Sequence, residues 1–221
     1  APETLTDREL EELLEHHPSY STIDASRSPK LTDRSLCLLA KRCGSSLRFL
    51  KLPPFITDQT LLSLSQHCKH LVAIHASDCP LITAQGAKAI LEQCTKLKLL
   101  SLGADEISHL KLNTSTLQIS SLILGEQLPI EGESLVELVR RCKQLTALQA
   151  NVSRATIDQL AEIAGLSSAL VQLHLYDAQV LTEEVLREFC RKNPYLESIT
   201  LTGCSHLRLL DVKGIKTVNI H

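Results

Sequence analysis

The sequence predicts an α/β fold in which short helix-and-strand units stack into a right-handed solenoid shaped like a horseshoe. An apolar residue that opens a unit returns every 25 or 26 residues over the first four units. A helix-like apolar pattern follows each opening residue, and a strand-like pattern follows each helix. Units of roughly 20 to 29 residues with this order can bury their apolar faces only against their neighbours. We therefore expect a parallel sheet on the concave side and helices on the convex side.

Each helix is predicted to begin beside the opening residue of its unit. The opening residues are Leu5, Leu31, Ile56, Ile82, Ile130, Val152 and Leu181. A threonine or serine usually follows, and its hydroxyl can accept a hydrogen bond from a free backbone N–H group of the first turn. Acidic residues such as Asp7, Asp33 and Asp58 then suit the positive end of the helix dipole. In the sixth unit this pattern predicts a helix start at Ser153.

Apolar residues recur three positions apart within the predicted helices, which indicates one inward-facing stripe. The pairs are Leu10 and Leu13, Leu36 and Leu39, Leu61 and Leu64, Leu135 and Leu138, and Ile157 and Leu160. Basic residues near the other end of the helices suit the negative end of the dipole. We interpret them as solvated helix ends rather than as a surface for nucleic acid.

The residue that ends each predicted helix belongs to a column in which cysteine is common. The column contains His17, Cys43, Cys68, Cys94, Cys142, Ala164 and Asn193. Four of the eight cysteines lie there, and free cysteine in a core behaves as a small apolar residue. Neighbouring helices pack roughly 8 to 10 Å apart, which is beyond the reach of a disulfide. The cysteines and histidines lack the paired short spacings of zinc sites, so we predict buried free thiols and no metal site.

An L-x-x-L-x-L pattern after each helix predicts a short strand with one buried face. We expect about eleven parallel strands, the first near Ile23, because every connection returns in the same direction. Helix-poor repeats are predicted near 103–128 and 205–221. There the strand patterns at 107–112 and 207–212 are followed by the next strand pattern after too few residues for a full helix. We expect a single repeat domain over residues 1–221. Its last strand pattern has no polar capping unit, so we expect it to be part of a longer protein or assembly.

Residues 56–83 contain the complete repeat unit, ITDQTLLSLSQHCKHLVAIHASDCPLIT. Cys68 ends the predicted helix, and Cys79 ends the L-x-x-L-x-L-x-x-C segment before a further Ile-Thr. This order resembles the cysteine-containing leucine-rich repeats of F-box substrate receptors, whose horseshoe is similar to that of ribonuclease inhibitor. The resemblance extends, with varying quality, from residue 5 to residue 212.

The resemblance implies a non-catalytic protein-interaction module, the substrate-recognition repeat domain of an F-box-type ubiquitin ligase adaptor. An F-box-binding adaptor would contact segments outside this chain, because no F-box pattern precedes the first repeat. The alternative is a structural or signalling scaffold subunit of a larger complex with no role in a ubiquitin ligase. Both functions need a protein partner, so the repeat pattern does not distinguish them.

Composition and motifs argue against several other classes of protein. The formal net charge is −2, which gives no electrostatic reason to bind nucleic acid or acidic lipid. The sequence has neither a bilayer-length apolar run nor a signal-peptide pattern near its start, and it lacks the common phosphate-binding and nucleophile-elbow motifs. We expect an intracellular protein, cytoplasmic or nuclear, with no membrane partner, no cofactor and no enzymatic activity.

The predicted binding site lies on the concave face, where side chains alternate with the buried leucines of the strands. Neutral polar, apolar and charged residues mix there, which suits a protein or peptide partner better than a polyanion. The predicted partner-binding residues are Lys51, His75, His109, Lys111, Gln149, His174, Tyr176 and Thr200. Tyr176 is the expected anchor, because tyrosine combines a large rigid contact area with a polar tip.

Overall fold

A computed structural model describes residues 4–17, 19–103, 110–126, 129–204, 206–207 and 215–220. Helix and strand alternate through most of these residues, and every strand pair that the structure describes is parallel. The α/β class with a parallel sheet is therefore confirmed. The chain folds as two compact units, Ala1–Leu117 and Gln118–His221. The prediction of one repeat domain over the whole chain stays a prediction.

The first unit pairs its strands in chain order. Its helices are α1 (Asp7–His16), α2 (Asp33–Cys43), α3 (Asp58–His67) and α4 (Ala84–Gln93). Its strands are β1 (Thr22–Asp24), β2 (Phe49–Lys51), β3 (Ala73–Ala76) and β4 (Leu99–Leu102). The core lies between the strands and the helices, where side chains such as Leu36, Leu50, Leu61 and Ile74 are fully buried.

The second unit has the same construction. Its helices are α5 (Gly132–Arg141), α6 (Ile157–Leu166) and α7 (Glu183–Lys192). Its strands are β5 (Ser121–Leu124), β6 (Ala147–Asn151), β7 (Gln172–Tyr176), β8 (Ser198–Leu201) and β9 (Thr217–Ile220), again paired in chain order. Leu148, Leu173 and Ile199 point into its core from three successive strands.

The described residues contain nine strands rather than the predicted eleven. The predicted strands at 107–112 and 207–212 fall mainly on residues outside those that the structure describes. Residues 110–112 are described and form no strand. Between β4 and β5, and between β8 and β9, the described residues include no helix.

The sixth helix begins three residues later than predicted. Thr156, not Ser153, caps α6: its hydroxyl accepts a hydrogen bond from the backbone N–H of Gln159 at 3.3 Å, within a reciprocal capping box. The Gln159 side chain accepts from the backbone N–H of Thr156 at 2.9 Å. This exchange satisfies the backbone N–H groups of Thr156 and Gln159. The sequence prediction instead placed the cap at Ser153, the hydroxyl residue that follows Val152.

The end of α6 shifts by the same three residues. Ser167, rather than Ala164, follows the helix, and its hydroxyl donates to the carbonyl of Ile163 at 2.8 Å. Ser167 lies three residues before the buried Leu170, as Cys142 lies three residues before Leu145. Ser167 therefore occupies the helix-end position that cysteine fills in other repeats.

Two predicted members of the inward stripes are partly exposed. Ile157 is 39% exposed because the shifted start of α6 turns Leu160 and Ile163 inward instead. Leu13 is 38% exposed, while Leu10 and Leu14 carry the buried face of α1. The remaining predicted pairs are buried.

The first-turn aspartates of the first unit join one helix start to the next. Each carboxylate accepts hydrogen bonds from the backbone N–H and the hydroxyl of the next helix's capping threonine. The pairs are Asp7 with Thr32, Asp33 with Thr57, and Asp58 with Thr83. We call this row the aspartate ladder. It links residues about one repeat apart, which the helix-dipole argument did not predict.

None of the eight cysteines, all of which lie in the described residues, forms a disulfide. Six are buried, and Cys37 and Cys190 are half-buried. In the helix-end column, the Cys68 thiol lies 3.8 Å from the carbonyl oxygen of Ala40, and the Cys94 thiol lies 3.6 Å from that of Cys68. Thiols are weak donors, so these contacts satisfy carbonyl groups between repeats without covalent links.

Candidate partner-binding site

Parallel pairing brings the predicted face residues into one row in each unit. In the first unit the row is Asp24, Lys51, His75 and Ser101. In the second unit it is Ile123, Gln149, His174, Thr200 and Asn219. The flanking residues of β2 to β8 are buried, so period-two alternation turns the row side chains of these strands away from the core. Five of the eight predicted partner-binding residues lie in these rows: Lys51, His75, Gln149, His174 and Thr200.

Lys51 and His75 lie on neighbouring strands of the first unit and line a cavity of about 220 Å³. The other lining residues are Leu52, Ala76, Ser77, Asp78 and Ser101. The His75 ring lies beside that of Phe49, with ring centroids 5.3 Å apart. Charges of both signs therefore surround a partly buried imidazole.

The charges of this row act on one another. Burial lowers the pKa of His75, and the Lys51 ammonium lowers it further, while Asp24 acts in the opposite direction. Hydrogen bonds from the hydroxyl and backbone N–H of Ser26, at 2.7 and 3.0 Å, hold the pKa of Asp24 below its ordinary value. Near neutral pH this row therefore presents a neutral histidine next to the Lys51 ammonium, with the Asp24 carboxylate on the strand beyond Lys51.

Gln149, His174 and Thr200 lie on three successive strands of the second unit and line a cavity of about 240 Å³. The other lining residues are Ser121, Ile123, Ala147, Leu148, Gln172, Leu173 and Ser198. Among the described residues, the lining contains hydroxyl, amide and imidazole groups but no acidic or basic side chain other than the histidine. This cavity can donate and accept hydrogen bonds without presenting a fixed charge.

Tyr176 does not have the exposed position that the sequence predicted. It is 8% exposed, and its hydroxyl accepts a hydrogen bond from Nε2 of Gln149 at 2.8 Å. Its ring lies against the imidazole of His174, with centroids 4.1 Å apart. Tyr176 therefore supports two members of the row instead of offering a free aromatic surface, because neighbouring side chains cover it.

His174 is partly buried beside this cavity. Its Nε2 atom is inaccessible and, among the described residues, has no hydrogen-bond partner. Burial lowers the pKa of His174 against the opposing effect of the Glu126 carboxylate. A neutral imidazole is the consistent state, because protonation would bury a second N–H donor with no acceptor.

One predicted site residue does not join these groups. Lys111 is exposed and lies in no strand, so no pairing aligns it with His75. His109 lies outside the described residues. Conversely, the sequence prediction missed Glu126, whose charge acts on both His174 and Tyr176. The Asn151 side chain donates to the Glu126 carbonyl at 2.7 Å, and a loop held by such a distant contact carries no local sequence signal.

The described part of the chain holds no cluster of three or more His, Cys, Asp or Glu residues that could ligate a metal ion. Within the same residues, none of the helices has the length and apolar composition that crossing a bilayer requires. Burial raises the pKa of the Cys68, Cys79 and Cys142 thiols to about 12. Such thiols are poor nucleophiles near neutral pH.

No protein-family model matches the chain. It is 22% identical over 175 residues to the BTB/POZ domain-containing protein FBL11 of Arabidopsis thaliana, a match that covers 72% of this chain. The chain spans only 18% of the length of that curated relative. It is also similar to a chain in the crystal structure of the yeast Rad7 and Elc1 complex, with a TM-score of 0.52 and 15% identity, over 96% of this chain and 71% of that chain. Together with the parallel strands and repeated helices, this likeness confirms the predicted fold, an α/β leucine-rich repeat solenoid.

Proposed function

We propose that the chain is a non-catalytic protein-interaction module. It binds its partner on the face of the strands that carries the two rows of side chains. The observation that carries this proposal is the pair of rows, in which unlike side chains with hydrogen-bonding groups line a cavity in each unit. Mixed polar and apolar surfaces of this kind are typical of protein interfaces. The buried thiols with raised pKa values also favour a non-catalytic role for the cysteines.

We further propose that this module is the substrate-recognition repeat domain of an F-box-type ubiquitin ligase adaptor. The cysteine-containing unit at 56–83 supports this role, as does the likeness to a chain solved in a complex with another protein. The free state of all eight cysteines favours a reducing compartment, cytoplasmic or nuclear. The F-box-binding adaptor would contact parts of the protein outside these residues.

The test is quantitative affinity capture from extracts of the source organism, using the full-length protein. Two variants change the rows: Lys51→Glu in the first unit and Thr200→Arg in the second. Ser45→Arg, at an exposed position after α2, is the matched control for the added arginine. We expect a partner that the wild type and Ser45→Arg retain and that at least one row variant loses.

Two other results would change the conclusion. Capture that neither row variant reduces contradicts binding on the rows. A partner that depends on the rows but is captured without ubiquitin ligase components, and that is not ubiquitylated in a reconstituted reaction, contradicts the adaptor role and supports a scaffold. Melting curves of each variant identify any loss of binding that is due to unfolding.

A further inference from the structure

The cavity of the second unit, lined by Gln149, Gln172, His174, Ser198 and Thr200, has a definite chemical character. We propose that it binds an uncharged polar side chain, Asn, Gln, Ser or Thr, from an extended segment of the partner. This inference rests on the proposed function and adds the chemistry of the group that is recognised. It concerns the second unit alone.

The lining favours a neutral guest. The two amides and three hydroxyls of the lining can each donate and accept hydrogen bonds, so together they can satisfy a guest amide or hydroxyl in either sense. None of the ten lining residues that the structure describes is acidic, lysine or arginine. A charged guest would lose hydration without gaining an opposite charge from the lining, which is costly. Glu126 is the nearby carboxylate in the described residues, but it is exposed and does not line the cavity.

The support beneath the cavity is already ordered. Gln149 is held by its 2.8 Å hydrogen bond to Tyr176, and the His174 ring rests against the same tyrosine. Because Tyr176 is almost completely buried, these side chains lose little freedom when a partner binds. The inaccessible Nε2 of His174 has no partner among the described residues. This favours the neutral ring, so the imidazole does not supply a charge.

Size favours one side chain over a free small molecule. The cavity measures about 240 Å³, whereas small-molecule sites usually enclose roughly 300 to 1,000 Å³. Ile123 and Ala147 provide an apolar wall for the aliphatic part of a guest. The first unit differs, because Lys51 and Asp78 line its cavity. The cavities of the two units therefore offer a partner different chemical groups.

The test begins with a random linear peptide library displayed on phage and selected on the purified 221-residue chain. We expect the selected peptides to share a position occupied by Asn, Gln, Ser or Thr. Fluorescence anisotropy with synthetic peptides then measures Kd. Replacing the shared residue by Asp or Lys should weaken binding about tenfold or more, because a desolvated charge is left unpaired.

A matched pair of variants locates the site. Thr200→Arg introduces a long charged side chain into the cavity and should weaken binding about tenfold or more. Asn219→Arg makes the same kind of change one strand away in the same row, at an exposed position outside the lining. It should leave Kd within about twofold, since rim charges contribute little.

A third variant tests the chemistry by a gain of binding. Gln172→Glu adds a carboxylate at an exposed lining position. Peptides with Lys at the shared position should bind this variant about tenfold more tightly than they bind the wild type, because the cavity then supplies an opposite charge. A misfolded variant would not gain affinity, so this result does not depend on loss of structure.

Several outcomes would overturn the inference. These are wild-type selection for acidic or basic residues, failure to select any peptide, and equal Kd values for the wild type, Thr200→Arg and Gln172→Glu. Peptides whose binding is unchanged in these variants but weakened by Lys51→Glu would rule out the second-unit cavity as the binding site. They would still support binding on the rows. Peptides that no row variant affects would contradict both this inference and the proposed function.

Discussion

A histidine on the strand face of each unit is partly buried, and burial lowers the pKa of both His75 and His174. The surroundings differ, because His75 lies near Lys51 and Asp24, whereas His174 lies near Glu126 and against Tyr176. Both rings favour the neutral form near pH 7. Proton binding is therefore weaker in the folded chain than in the unfolded chain.

This difference predicts how His174→Gln changes the pH dependence of stability. The unfolded histidine takes up a proton below about pH 6.5, whereas the folded one resists until a lower pH. Wild-type stability therefore falls as pH drops through this window. The unfolding free energy of His174→Gln minus that of the wild type should therefore increase as the pH is lowered from about 7.5 to about 5.5. Urea unfolding at a series of pH values measures it, and a constant difference would contradict the prediction.

The buried cysteines should be slow to react in the folded protein. Burial raises the pKa of Cys68 and Cys142 to about 12, so only about one thiol in ten thousand is ionised at pH 8. Iodoacetamide should label the half-buried Cys37 before either of them. All eight should react once the chain is unfolded in urea. Mass spectrometry of timed digests measures the order, and rapid native labelling of Cys68 would contradict the buried column.

The aspartate ladder is the main polar connection between helix starts in the first unit. Burial raises the pKa of Asp7, but hydrogen bonds from Ser35 and Thr32 outweigh it, so the pKa lies below its ordinary value. The resulting stabilisation is present above about pH 4 and is lost as the carboxylate becomes protonated on acidification. Each helix start therefore depends on its neighbour.

Removing one member of the ladder should destabilise the first unit. Asp33 accepts from the Thr60 hydroxyl at 2.6 Å and from the Thr57 hydroxyl at 2.8 Å. Thr60 is fully buried, so Asp33→Ala should cost about 1 to 3 kcal/mol of unfolding free energy. Asp158→Ala is the control, since that exposed first-turn aspartate should contribute about 0.3 to 1 kcal/mol through the helix dipole. Equal losses in urea unfolding would show that the ladder adds nothing.

Two helical glycines should respond in opposite ways to alanine. A Cβ at Gly86 would lie 2.2 Å from Oδ1 of Asp58 in the ladder, whereas nothing lies within 4 Å of one at Gly165. Alanine raises helix propensity by about 1 kcal/mol over glycine at either position. Gly165→Ala should therefore raise the melting temperature, while Gly86→Ala should lower it. A stabilised Gly86→Ala would mean that Asp58 moves aside without cost.

At the scale of the whole molecule, charge is balanced rather than concentrated. The basic residues at the end of α5 pair with carboxylates: Arg140 lies 2.6 Å from Glu137 and 2.5 Å from Glu162, and Arg141 also pairs with Glu137. These exposed pairs contribute little stability. They do offset the positive charge of Arg140 and Arg141 at the end of α5.

The balanced charge predicts no affinity for nucleic acid. A net charge of −2 leaves little counterion release to drive binding to a phosphate backbone. Neither a random DNA duplex nor a single-stranded RNA should shift in electrophoretic or anisotropy titrations at about 0.15 M salt. Binding that weakened steeply as salt was added would contradict this expectation.

The sequence alone determined the repeat, the order of helix and strand, and the rows on the strand face. These follow from local periodicity, since a helix and a strand set different spacings between buried residues. The alignment of Gln149, His174 and Thr200 was therefore predictable once the strands were aligned. So was the burial of the cysteines that share a column position.

Only the tertiary structure decided which local signals prevailed and what each side chain contacts. Thr156 caps α6 in place of Ser153, and Asp33 reaches the start of the next helix instead of acting only on its own helix. Tyr176 is covered by groups that come from an adjacent strand as well as its own. These outcomes depend on contacts between residues about one repeat apart, whose distances and burial a linear pattern does not specify.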